Sequence, residues 1–176
     1  LDYCSGFTRD GFDFFLLEEA ADSGPIISQE TIQVSPRETA ASLYAKLAAV
    51  AGRQLHGFLP LLRSRKLIAS RQQENLASSW RRRADADGQI DWRMAASSID
   101  QLVRGLSSPY VGAHFIHNGL RTKVWRCSPV QEADPHAEPG KVLTVSESRT
   151  LVKAGIGAVW LEETDPELAF REGDYI

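Results

Sequence analysis

Glu18-Glu19-Ala20-Ala21-Asp22-Ser23-Gly24-Pro25-Ile26-Ile27 sets one aspartate between an apolar run, Phe12 to Leu17, and a Gly-Pro turn. Phe12, Phe14, Phe15, Leu16 and Leu17 have the length and near-continuous apolar character of a strand covered on both faces. Pro25 to Val34, alternating at Ile32, Gln33 and Val34, reads as a second strand, so the two strands flank Asp22. Asp, Ser, Gly and Pro are ordinary turn residues, which makes Asp22 first a turn former and second a carboxylate displayed for chemistry.

Beyond the second strand, Ser35-Pro36-Arg37-Glu38 has the form of a capping box, with Thr39 as a competing cap. Leu43, Leu47, Val50, Ala51, Leu55, Phe58, Leu59 and Leu62 then recur at three- and four-residue steps, the signature of a helix with one apolar face. His56 lies beside that stripe and reads as a surface residue. Periodicity fades from Arg63 to Ser79, where Arg71-Gln72-Gln73-Glu74-Asn75 reads as a linker or an extended crossing segment.

Trp80-Arg81-Arg82-Arg83 follows. The plain reading of these arginines is a solvated face balanced by Asp85 and Asp87; the sharper one is an anion site with Trp80 available to stack on a ring. Met94 to Leu106 predicts a second amphipathic helix, with Ala95, Ile99, Leu102, Val103 and Leu106 on one side. Gly112 to His117 and Leu120 to Cys127, joined by Asn118-Gly119, read as a hairpin. Gly140 to Val145, Thr150 to Lys153 and Ala158 to Glu162 are three more short strands, and strands at this spacing predict a small barrel. His114 and His117 stand three apart in a strand, hence on opposite faces, and do not form a metal pair.

Length and composition bound these readings. With 176 residues and 43% hydrophobic content the chain holds one ordinary domain or two small ones with a real core. No run of about 18 apolar residues is present to cross a bilayer, and no signal peptide pattern opens the chain. This predicts a soluble, cytoplasmic protein with no membrane partner. Cys4 and Cys127 are the only cysteines and lack nearby metal-ligand partners, so no metal centre and no disulfide framework are expected. Residues 1–79 carry 8 Lys/Arg against 9 Asp/Glu, and residues 80–176 carry 12 against 14, so neither half has the basic excess of a phosphate-backbone binder. The chain begins at Leu1 without a cap or strand pattern, which predicts the later part of a longer protein.

Taken in order, these landmarks resemble the formyltransferases that use N10-formyltetrahydrofolate, a family that includes methionyl-tRNA formyltransferase and the sugar N-formyltransferases. The residues that carry the resemblance are Ala21-Asp22-Ser23-Gly24-Pro25-Ile26 through Gln29, Thr39 to Leu47, Asp87-Gly88-Gln89-Ile90-Asp91-Trp92, Leu102 to Leu106, Pro109 to Phe115, and Lys123-Val124-Trp125.

The resemblance implies an α/β fold: residues 1–80 as the C-terminal part of a Rossmann-like formyltransferase catalytic domain, and residues 81–176 as a small β-rich, OB-like C-terminal subdomain. It implies N10-formyltetrahydrofolate as formyl donor, Asp22 as the catalytic aspartate, and the backbone of Glu18, Glu19, Ala20 and Ala21 as the pterin-binding segment. Asp13 stands where a Thr is usual, and Glu19-Ala20 replaces an acidic residue followed by Gly.

The family sets an Asn and a His beside its Asp, in an Asn-x-His context that this sequence does not contain. On charge, the expected acceptor is the amino group of a nucleotide-linked sugar, with Trp80, Arg81 and Arg82 as substrate-binding residues. Met-tRNA is the second reading, disfavoured by the missing basic excess. A third is a non-catalytic binding or assembly module, and a homo-oligomer stays open.

Overall fold

The computed structural model describes residues 8–73, 75, 77–146 and 148–176. Cys4 and the opening stretch of the chain lie outside them. The chain divides into two compact units, one of residues 8–38 with 42–82, the other of residues 83–176 with 39–41.

In the first unit, β1 (Arg9–Phe15) and β2 (Ile26–Gln33) form an antiparallel pair, with Phe12 opposite Glu30 and Phe15 opposite Ile26. Helix α1 (Ala40–Arg63) packs on one face of this hairpin. Phe14 meets Phe58 edge-on at 5.0 Å, and Gln54 Nε2 donates to the Phe12 carbonyl at 2.8 Å. The expectation of a strand covered on both faces is therefore corrected. Phe12 and Phe14 alternate with Gly11 and Asp13, which are exposed, and Leu16 and Leu17 lie beyond the strand in the loop. Strict alternation of this kind gives a sheet with one buried face.

Ser35 does not cap α1. Ser35–Glu38 forms a turn in which the Glu38 amide donates to the Ser35 carbonyl at 3.0 Å, and the helix begins at Ala40, where the competing Thr39 precedes it. The Glu38 carboxylate still reaches back to the Ser35 amide at 3.0 Å, and it also accepts from Ser42 Oγ and Lys46 Nζ. Burial pushes its pKa up, but these donors outweigh burial and hold it down at about 2. Within the stretch read as a linker or crossing segment, Ser70 and Ile26 exchange both main-chain hydrogen bonds, at 2.7 and 2.8 Å.

The second unit begins with a short 3-10 helix, Asp85–Gly88. Helix α2 (Ala96–Gly105) starts two residues later than the apolar pattern predicts, because the chain first turns at Asp91–Met94, where Asp91 Oδ1 accepts from the Arg93 amide. It buries Ala96, Ile99, Leu102 and Val103.

Five antiparallel strands follow: β3 (Ala113–His117), β4 (Leu120–Val130), β5 (Val142–Ser146), β6 (Arg149–Lys153) and β7 (Ala158–Asp165), in the spatial order β3-β4-β7-β6-β5. Asn118 and Gly119 both hold positive φ, 51° and 76°, the conformation a two-residue hairpin turn requires. Where strand spacing predicts a small barrel, the ladder ends at β3 and β5. Short segments rather than strands line the two edges, with bridges from Gln89 to His114 and from Lys141 to Tyr175. α2, Trp92 and Phe170 close over the core formed by Phe115, Val124, Val152, Val159 and Leu161, so burial does not need further strand pairing.

Candidate functional site

The loop between β1 and β2 carries Glu18, Glu19, Ala20, Ala21 and Asp22, all exposed. Its ends are tied by a hydrogen bond from the Leu16 amide to the Pro25 carbonyl at 3.0 Å. Gly24 packs directly on the Leu16 backbone: a Cβ there would stand 1.6 Å from the Leu16 carbonyl oxygen, so only glycine fits. Asp22 holds φ of 56°, in the left-handed region that a residue with a side chain enters at a cost. Ser23 Oγ donates to the Ala20 carbonyl at 2.9 Å, which folds the tip back on itself.

Gln72 secures this turn from outside the loop. Its Nε2 donates to the Asp22 carbonyl at 2.8 Å and to the Gly24 carbonyl at 2.7 Å. The sequence reads Gln72 as part of a linker or an extended crossing segment and gives it no role. Nothing local distinguishes it from Gln73, since its partners lie about fifty residues earlier in the chain. Among the described residues, the amides of residues 18–21 have no protein acceptor, and the Asp22 carboxylate makes no hydrogen bond or ion pair. The loop thus offers a row of accessible main-chain donors and acceptors beside one unengaged carboxylate.

Trp80, Arg81 and Arg82 lie on the extended, irregular segment that ends the first unit. Trp80 is 75% exposed. Arg81 Nη1 lies 3.4 Å from the Arg82 carbonyl, a long contact on an exposed stretch. A residue of the 71–82 segment that does hydrogen-bond the Asp22 loop is Gln72.

In the second unit, the Asp87–Trp92 stretch is built as a structural corner. Asp87 accepts from the Ala84 amide at 2.7 Å, Gly88 is buried against Leu106 and His114, the Ile90 amide donates to the His114 carbonyl at 2.7 Å, and Trp92 meets Phe115 edge-on at 5.6 Å. Asp91 stays exposed and pairs with Arg93, which is the foremost cause holding its carboxyl down at about 2.

Beside this corner Arg121 forks onto Asp85, with Nη1 to Oδ2 at 2.8 Å and Nη2 to Oδ1 at 2.6 Å, and Arg121 Nη2 also donates to His114 Nδ1 at 3.1 Å. An arginine only donates, so His114 Nδ1 is an acceptor here and the imidazole is neutral with its proton on Nε2. Burial, joined by the charge of Arg121, pushes the His114 pKa below its ordinary value against the opposing pull of Asp85. His117 instead packs its ring on Phe170, as Phe115 does, so His114 and His117 do face opposite sides. Among the described residues no helix is long and apolar enough to cross a membrane.

Residues 83–168 match the family model of the formyl transferase C-terminal domain. Residues 83–168 therefore carry a formyl transferase C-terminal domain.

Solved structures share the fold across more of its length. HypX from Aquifex aeolicus, in complex with tetrahydrofolic acid, is 18% identical with a TM-score of 0.73, over 92% of this chain and 28% of that one. The N-formyltransferase from Helicobacter canadensis, in complex with folinic acid and dTDP-3-aminofucose, is 15% identical with a TM-score of 0.66, over 91% of this chain and 58% of its own. Methionyl-tRNA formyltransferase from Clostridium thermocellum is 17% identical with a TM-score of 0.59, over 70% of this chain and 52% of that one. The chain thus spans less than two thirds of the length of each of these relatives.

Proposed function

We propose that the chain is the C-terminal part of an enzyme that transfers the formyl group of N10-formyltetrahydrofolate to the amino group of a nucleotide-linked amino sugar. The observation that carries this reading is the 17–24 loop, where an unengaged aspartate stands beside free backbone amides in a chain that carries a formyl transferase C-terminal domain. In this reading residues 1–80 complete a Rossmann-like catalytic domain and residues 81–176 form the OB-like subdomain.

The donor set of the loop fits the pterin end of the folate. A pterin presents an edge of alternating donors and acceptors, and the N–H groups of Glu18, Glu19, Ala20 and Ala21, with the C=O groups of Glu18, Glu19 and Ala21, are the complementary kind on this exposed loop. Ala20 and Ala21 add no bulk over that edge. Bound there, the donor supplies an activated formyl carbon.

Asp22 then acts at the proton. An amine that attacks a carbonyl carbon must lose a proton, and a carboxylate within hydrogen-bond reach of it serves as general base or as the partner of a protonated imidazole. The Asn and His that the family places at the oxyanion have no counterpart in residues 1–176, so the proposal draws them from outside this stretch.

The acceptor is argued from charge. Residues 80–176 carry 12 Lys/Arg against 14 Asp/Glu, a poor surface for a polyanion such as tRNA. Trp80, Arg81 and Arg82 are exposed and suit the ring and phosphates of a nucleotide. The test offers the intact protein N10-formyltetrahydrofolate with either a nucleotide-linked amino sugar or Met-tRNA, and follows release of tetrahydrofolate. Turnover with the sugar is expected. Turnover with Met-tRNA alone would overturn the acceptor, and turnover with neither would favour a binding or assembly role.

A further inference from the structure

The geometry points to Gln72 as the positioning residue for Asp22, an inference that rests on the reading of Asp22 just proposed. The two hydrogens of one amide group are rigidly placed. Because Gln72 Nε2 gives one to the Asp22 carbonyl at 2.8 Å and the other to the Gly24 carbonyl at 2.7 Å, it fixes those two oxygens relative to each other. The base of the fork is itself anchored: Ser70, two residues earlier, exchanges main-chain hydrogen bonds with Ile26, two residues beyond Gly24.

The consequence falls on the Asp22 side chain. With φ at 56° and the following carbonyl held, the direction of the Asp22 Cα–Cβ bond is set and only the side-chain torsions remain. A left-handed aspartate released from its partners relaxes toward the ordinary region, and that swings the carboxylate away from its line of approach. Ser23 cannot replace the fork, since its hydroxyl bonds backward to Ala20 rather than to residues 22 or 24. The clamp also accounts for the residue type. A carboxylate at position 72 would set acceptors against two carbonyl oxygens, and an asparagine is one methylene shorter.

The test is a double-mutant cycle in the intact protein with Gln72→Ala, Asp22→Asn and the pair, read by kcat and KM and joined by nuclear magnetic resonance of Asp22. Gln72→Ala is expected to lower kcat about tenfold or more, with KM for the amine within about twofold, because misplacing a catalytic group by a fraction of an ångström has that scale of effect. In the Asp22→Asn background the same change is expected to cost nothing further. The Asp22 amide-to-Hα coupling and Cα shift should leave the left-handed values in Gln72→Ala and keep them in the control Gln73→Ala.

An equal loss of kcat in both backgrounds, or unchanged Asp22 signals, overturns the inference. Normal turnover by Asp22→Asn would instead overturn the catalytic reading of Asp22, while the resonance measurement would still decide whether Gln72 sets the loop.

Discussion

Asp22 and Gly24 divide the work of one turn. Asp22 takes the left-handed backbone despite its side chain, and Gly24 lets the chain pass against Leu16 where no Cβ has room. Replacing Gly24 by Ala should therefore displace backbone rather than a flexible side chain. The expected loss is about 2–4 kcal/mol in urea unfolding, toward the severe end of single substitutions. A change within about 0.5 kcal/mol would show that the loop does not pack as described.

Asp22 was legible in the sequence as a turn residue, and the order of motifs around it gave it a second meaning. Gln72 was not legible. A single amide contact across fifty positions leaves no periodic or compositional trace.

At the scale of elements, alternation and turn chemistry carried most of what could be read. Phe12 and Phe14 against Gly11 and Asp13 decide that β1 has one covered face, and Asn118-Gly119 decides the β3–β4 hairpin. Where two local signals competed, sequence could not choose. Ser35 and Thr39 both precede helical sequence. The Glu38 carboxylate, drawn toward Ser35, Ser42 and Lys46 together, closes a turn ahead of the helix instead of its first turn.

That cluster has a pH signature. The Glu38 pKa is depressed from 4.5 to about 2, so its contribution to stability is complete above about pH 4.5 and is lost as pH falls through about 2. Glu38→Gln should accordingly lower stability by about 3 kcal/mol at pH 7, and the gap from the native protein should close near pH 2. A gap that stays constant from pH 7 to pH 2 in urea titrations would contradict the charge-based account.

At the scale of the molecule, the sequence divides its tasks between two units of different kind. The unit of residues 8–38 with 42–82 displays Asp22 on an exposed hairpin loop. The unit of residues 83–176 with 39–41 is a five-stranded sheet covered by α2 and locked by Trp92, Phe115 and Phe170. The Asp87–Trp92 motif, which carried much of the family resemblance, turns out to be a folding corner: Ile90 and Trp92 are core, and Gly88 allows close packing against His114. The barrel expected from strand spacing was less legible because spacing counts strands without saying which edges meet.

Asp22 is the proposed acid-base group of the formyl transfer. Release of tetrahydrofolate from N10-formyltetrahydrofolate in the presence of a nucleotide-linked amino sugar, compared between the intact protein and its Asp22→Asn variant, tests it most directly. Steady release by the native protein is expected, with a loss of about a hundredfold or more in the variant and its fold unchanged, the scale of a general base. Equal rates for the two proteins would contradict that role.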